Sequence, residues 1–74
     1  MGKIAILSGR EVCRILAKNR FMEVRRRGSH VVMQRNAELG TITVPVPDHA
    51  ELKIGTLFSI IRQQSGVPRS EFES

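Results

Sequence analysis

Apolar and polar positions along the chain divide it into a helix, three short strands and a second helix. Ser8-Gly9-Arg10-Glu11 has the S-x-x-E form of a capping box, in which a hydroxyl and a carboxylate satisfy orphan amides at a helix start. Leu7 and Val12 hold the two positions of a hydrophobic staple around it. Val12, Ile15 and Leu16 then recur at helical spacing, which predicts a helix over about residues 8–19 with Asn19 as its stop. The opposite side of that helix carries Arg10, Arg14 and Lys18, four apart in one basic stripe.

The next period is two. Phe21 to Arg27 alternates weakly, Met22 and Val24 falling on one face and Glu23, Arg25 and Arg27 on the other. Gly28-Ser29 supplies turn chemistry, since glycine takes positive φ at no steric cost. His30 to Arg35 forms a second strand rich in β-branched residues, and Asn36 to Gly40 reads as the following turn. Thr41 to Val46 is a third strand with Ile42, Val44 and Val46 on one face; Pro45 and Pro47 place it at a sheet edge or end it there. Ile54, Leu57, Phe58 and Ile61 then fall at i, i+3, i+4 and i+7, the apolar face of a second helix that Gly66 ends. Pro68 opens a last short turn through Phe72. The order α-β-β-β-α, with tight antiparallel connections, predicts an α+β fold. Its three-stranded antiparallel sheet has both helices on one face.

At 74 residues this is expected to be a single domain spanning 1–74, with residues 1–7 an N-terminal extension. A chain of this size buries only about 60% of the surface its unfolded form exposes, which excludes separate cofactor and substrate domains. Charge changes the picture further. The net charge is +5, but residues 1–36 carry nine Lys/Arg against two Glu, whereas residues 37–74 carry three against five acids. Such a basic half attracts polyanions, because neutralised phosphates release condensed counterions. The plainer reading is a solvated face that keeps a small protein soluble. Cys13 is the sole cysteine, so an internal disulfide is impossible, and its apolar neighbours suggest a buried thiol. No apolar run approaches the roughly 20 residues of a membrane span, which makes the cytoplasm the expected compartment.

Candidate chemistry is sparse. Two histidines and one cysteine do not make a structural zinc site, so neither metal nor cofactor is expected. His30 stands where the hairpin emerges from Arg25-Arg26-Arg27-Gly28-Ser29. An imidazole titrates near pH 6.5 and exchanges protons at cellular pH. RNA cleavage by internal transfer needs a base for the 2′-OH, an acid for the leaving 5′-oxygen, and cations for charge growing on the phosphate. A lone strand histidine is more often a hydrogen-bonded structural or surface residue, and the residues by themselves leave both readings open.

Arg27-Gly28-Ser29-His30 follows a basic strand, and Thr43-Val44-Pro45-Val46-Pro47 lies in the third. Glu51-Leu52-Lys53-Ile54-Gly55-Thr56-Leu57 opens the second helix and Ser59-Ile60-Ile61-Arg62-Gln63 continues it. In this order and spacing the segments resemble the HicA family of toxin–antitoxin mRNA interferases over roughly residues 8–72. The resemblance implies a fold like the double-stranded-RNA-binding domain and a metal-independent endoribonuclease that cleaves mRNA without the ribosome. It implies that His30, in the Gly-Ser-His motif, is the catalytic residue, with Gly28 and Ser29 setting the turn and orienting the imidazole. A HicB-type antitoxin is the implied partner, covering the active site; the free toxin is then a monomer and the neutralised one a hetero-oligomer.

Arg25 and Arg27 share a strand face and are, with Gly28 and Ser29, the expected RNA contacts, while Arg26 takes the other face. Lys53, a cation at an unfavourable helix start, is a further candidate contact. Gly55, in the first turn of that helix, costs up to about 1 kcal/mol against alanine, a cost that close packing or an approaching RNA backbone would explain. His49 reads as a turn or capping residue. Two alternatives stay open: a non-catalytic RNA-binding module of the same topology, and a degenerate toxin kept only as its antitoxin's partner.

Overall fold

The computed structural model describes residues 6–64 and 66–73. Helix α1 (Gly9–Lys18) is followed by strands β1 (Met22–Arg27), β2 (His30–Ala37) and β3 (Gly40–Pro47). Helix α2 (Ile54–Gln63) and a 3-10 turn (Arg69–Phe72) complete the chain. The strands form one antiparallel sheet in the order β1-β2-β3, so the proline-bearing third strand is an edge, as its sequence requires. Both helices lie on one face. Val12 and Leu16 of α1, with Leu57 and Ile60 of α2, join Val31, Met33, Val44 and Val46 of the sheet in one core, closed by Phe21, Leu52, Val67 and Phe72.

Helix α1 begins on the capping box as expected. The Glu11 amide donates to Ser8 Oγ at 3.1 Å and the Ser8 amide to Glu11 Oε1 at 2.9 Å. Leu7 packs against the core, and its carbonyl accepts the Leu52 amide at 2.8 Å. The last residue of the expected N-terminal extension is therefore part of the fold; residues 1–5 lie outside the described residues. At the other end Asn19 is the C-cap, its Nδ2 donating to the Ile15 carbonyl at 2.8 Å. Arg20 then takes φ +75°, the Arg20 amide donates to Ala17 and the Phe21 amide to Leu16. That pattern is a Schellman motif, in which a left-handed residue lets the chain reverse and deliver Phe21 to the core beside Leu16.

The sequence reading is corrected inside β1 and at the ends of β2 and α2. In β1, a bulge between Glu23 and Arg25 resets the alternation. Glu23 pairs with Met33 and Arg26 with Val31, on the helix-covered face; Met22, Arg25 and Arg27 pair with Gln34, Val32 and His30, on the open one. Met22 and not Glu23 thus shares a face with the two arginines. An extra residue in one strand changes which parity faces the core from that point on. Strand β2 runs on to Ala37, leaving only Glu38 and Leu39 as the turn, because Asn36 still pairs with Thr41.

Helix α2 stops at Gln63, ahead of Gly66, which lies two residues past the Gln64 C-cap. Gln64 ends it by folding back. Its Nε2 donates to the carbonyls of Ile61 and Val67, and its Oε1 accepts the Val67 amide. The buried ridge of α2 is Leu57 and Ile60; Phe58 and Ile61 are half-buried and Ile54 is 57% exposed. Leu52, ahead of the helix, is buried in the core, whereas Ile54, which the periodicity assigned to it, is not. Cys13 is likewise only partly buried, packing at the core's margin, where desolvation pushes its thiol pKa up.

Candidate active site

His30 is the first residue of β2 and is exposed. The hairpin places it there. Gly28 takes φ +57° at the first turn position, where a two-residue type II′ turn uses glycine, and Ser29 completes the reversal. Arg27 pairs with His30 across β1–β2, and Pro47 pairs with it across β2–β3. The Ser29 carbonyl accepts the Asp48 amide at 2.7 Å, so the turn is held from both neighbouring strands. The backbone of Gly28 and Ser29 fixes where the histidine emerges.

Two shallow depressions meet at His30. One, of about 370 Å³, lies on the open face of the sheet and is lined by Arg25, Arg27, His30, Val32, Thr43 and Pro45. Val32 is buried although it faces away from the helices; its register partners Arg25 and Pro45 flank it, and it sits in the depression's lining between them. The other, of about 280 Å³, runs between β3 and α2 and is lined by His30, Pro45, Pro47, Thr56, Ser59, Ile60 and Gln63. His30 and Pro45 form the ridge between the two. The first depression carries two arginines, and no Lys, Arg, Asp or Glu lines the second.

The structure brings three of the expected residues, Arg25, Arg27 and His30, to one place. Lys53 stands apart as the exposed N-cap residue of α2 and lines neither depression. A Cβ on Gly55 would meet nothing within 4 Å, so close packing does not account for that glycine. His49 is exposed in the loop after β3, where its carbonyl accepts the Gly9 amide at 2.9 Å; its contribution here is a backbone one.

Arg26, on the covered side, donates from Nη1 to Asp48 Oδ2 at 2.8 Å. The contact holds the Asp48 carboxyl below its ordinary pKa and raises that of the guanidinium. Of the other cations, Arg35 lies on the helix-covered face with its guanidinium 5.5 Å from the Phe21 ring centroid. The α1 stripe is exposed. Among the described residues, no group of three or more His, Cys, Asp or Glu side chains could hold a metal ion.

Sequence reasoning missed the polar row on α2. Thr56, Ser59 and Gln63 fall at i, i+3 and i+7, one helical face, and this spacing was legible beside the apolar one. What the sequence did not carry was that this face turns toward His30.

A family model described as the HicA toxin of bacterial toxin–antitoxin systems matches residues 9–66. The chain belongs to the HicA toxin family. The match runs from the first residue of α1 to the glycine beyond α2, so it takes in every strand and both depressions. No curated protein and no solved structure matches the chain. The family description gives the chain the toxin role of a bacterial toxin–antitoxin system, in which an antitoxin is the general partner. Among the described residues no helix is long and apolar enough to cross a membrane.

Proposed function

We propose that this HicA toxin is a metal-independent endoribonuclease that cleaves mRNA in the cytoplasm without the ribosome, with His30 as its acid–base residue. The observation that carries the reading is the exposed imidazole on the ridge between a cationic depression and an uncharged one. Arg25 and Arg27 hold the scissile phosphate on the sheet side and offset the charge that builds on it as the 2′-oxygen attacks. His30 takes the 2′-OH proton or delivers one to the departing 5′-oxygen. Lys53, at the start of α2, contacts the strand farther along. A HicB-type antitoxin silences the toxin by covering this open, shallow face; the free toxin acts as a monomer and the silenced one sits in a hetero-oligomer.

The test is cleavage of end-labelled RNA by purified protein. His30→Ala removes cleavage and leaves RNA binding and the thermal transition unchanged, because an exposed strand-end side chain carries little stability. Equal RNA loss with wild type and variant overturns the assignment. Binding without cleavage by the wild type would make the chain an RNA-binding module. A folded product that neither binds RNA nor arrests growth would make it a degenerate toxin.

A further inference from the structure

We propose that the uncharged groove between β3 and α2 is a nucleobase subsite, in which Ser59 and Gln63 read the base beside the phosphate held at His30. The inference rests on the ribonuclease reading for the placing of that phosphate, and it adds the source of the enzyme's sequence preference.

Three observations lead to it. The groove shares the imidazole and the Pro45 ring with the cationic depression, so one strand can occupy both at once. Its helix wall presents two hydroxyls and one amide, and no Lys, Arg, Asp or Glu lines it, so away from His30 a phosphate meets no counter-charge there. Base edges carry donors and acceptors, and a glutamine amide offers both. Its volume of about 280 Å³ falls just under the roughly 300–1,000 Å³ of whole-ligand pockets, the size for part of a ligand.

The chemistry matches how single-stranded RNA is recognised. Phosphate contacts fix register and carry no sequence information; base edges, splayed out of the stack, carry it. The arginine side supplies the first kind of contact and the α2 side the second. Pro45 and Pro47 give the groove an apolar strand wall against which a base can lie, and Ile60 closes the inner side. Thr56 is half-buried at the start of the row, and Gln63 at its far end is exposed and able to follow different base edges. An antitoxin segment rich in acidic residues would be drawn to the arginines instead.

The experiment uses the full chain carrying His30→Ala, which binds without consuming its RNA, so the result does not depend on cleavage. Fluorescence anisotropy compares its affinity for four short homopolymeric RNAs of equal length and charge. The expected outcome is a preference for one base that falls roughly three- to tenfold in Gln63→Ala and in Ser59→Ala, the worth of one lost hydrogen bond. The slope of affinity against salt stays as it was in these two variants and flattens in Arg25→Ala. Equal affinity for all four RNAs overturns the proposal. So does a preference that survives both substitutions together, which would give the groove to another occupant such as the antitoxin. Gln63 is exposed, so its variant folds even where Ser59→Ala does not. A nuclease that cleaves normally but has lost nothing in base preference sinks this inference alone.

Discussion

Arg26 and Asp48 meet at 2.8 Å, guanidinium Nη1 to carboxylate Oδ2, and join β1 to the first residue beyond β3. The pair spans the end of the sheet from which His30 emerges, and Asp48 also donates its amide to Ser29 in the turn. Because the folded carboxyl titrates below its ordinary value of 3.8, it stabilises the fold above that value. The contribution fades as pH drops through the folded pKa. Melting temperature followed from neutral pH to below about pH 4 therefore falls less steeply in Asp48→Asn than in wild type. Glu11, whose pKa the Ser8 amide holds down, keeps its share of the acid loss in both proteins. The difference between the two curves therefore isolates Asp48, and identical acid limbs would remove the pair from the stability of this end.

Gly9 is a second fastening of the same corner. A Cβ there would collide with the Pro47 carbonyl oxygen and stand 3.0 Å from the Asp48 Cα, and both obstacles are backbone. Gly9→Ala is expected to cost about 1–3 kcal/mol, the usual range for forcing an extra carbon into a packed contact. Thermal or urea unfolding checks it, and an unchanged midpoint would show that the helix start yields freely.

Arg20 occupies the left-handed position after α1 with φ +75°, where residues other than glycine and asparagine sit at a cost. Arg20→Gly should raise stability by up to about 1 kcal/mol, since glycine is the residue this cap favours. A fall in stability would mean that the arginine side chain contributes more than its backbone costs.

Arg25 and Arg27 face the open side of the sheet, as the spacing of two predicts, with Arg26 turned away. Reversing both charges should flatten the dependence of RNA affinity on salt by about 0.7 in log–log slope for each lost phosphate contact. Arg26→Gln, which removes that charge but can still hydrogen-bond Asp48, serves as the contrast. A slope unmoved by Arg25 and Arg27 would take them out of the interface.

Much of this architecture was legible because it is local. The capping box lies within four residues, the Gly28-Ser29 turn within two, and Leu57 with Phe58 and Ile61 announces a helix by spacing alone. The parts that were not legible depend on partners far along the chain. The bulge at Val24 exists only in the pairing of β1 with β2, so the parity of Glu23 and Met22 was read the wrong way round. The need for glycine at position 9 is set by Pro47, thirty-eight residues away. Gln64 is a local exception: it is 6% exposed because its amide closes the loop to Val67, only three residues on. At the site, motif and spacing pointed to His30, Arg25 and Arg27. The row Thr56, Ser59 and Gln63 came into view only when α2 settled beside β3.

The two outer strands also bear on how copies of the chain treat one another. All six residues of β1 are exposed, and the free outer edge of such a strand is a template for self-association. The bulge breaks its regular rhythm, and three consecutive arginines make a second copy's β1 an electrostatically hostile neighbour. On the far margin, Pro45 and Pro47 withhold two of the amide hydrogens that an added strand would seek. Repulsion on one flank and missing donors on the other leave the sheet with no inviting direction in which to grow.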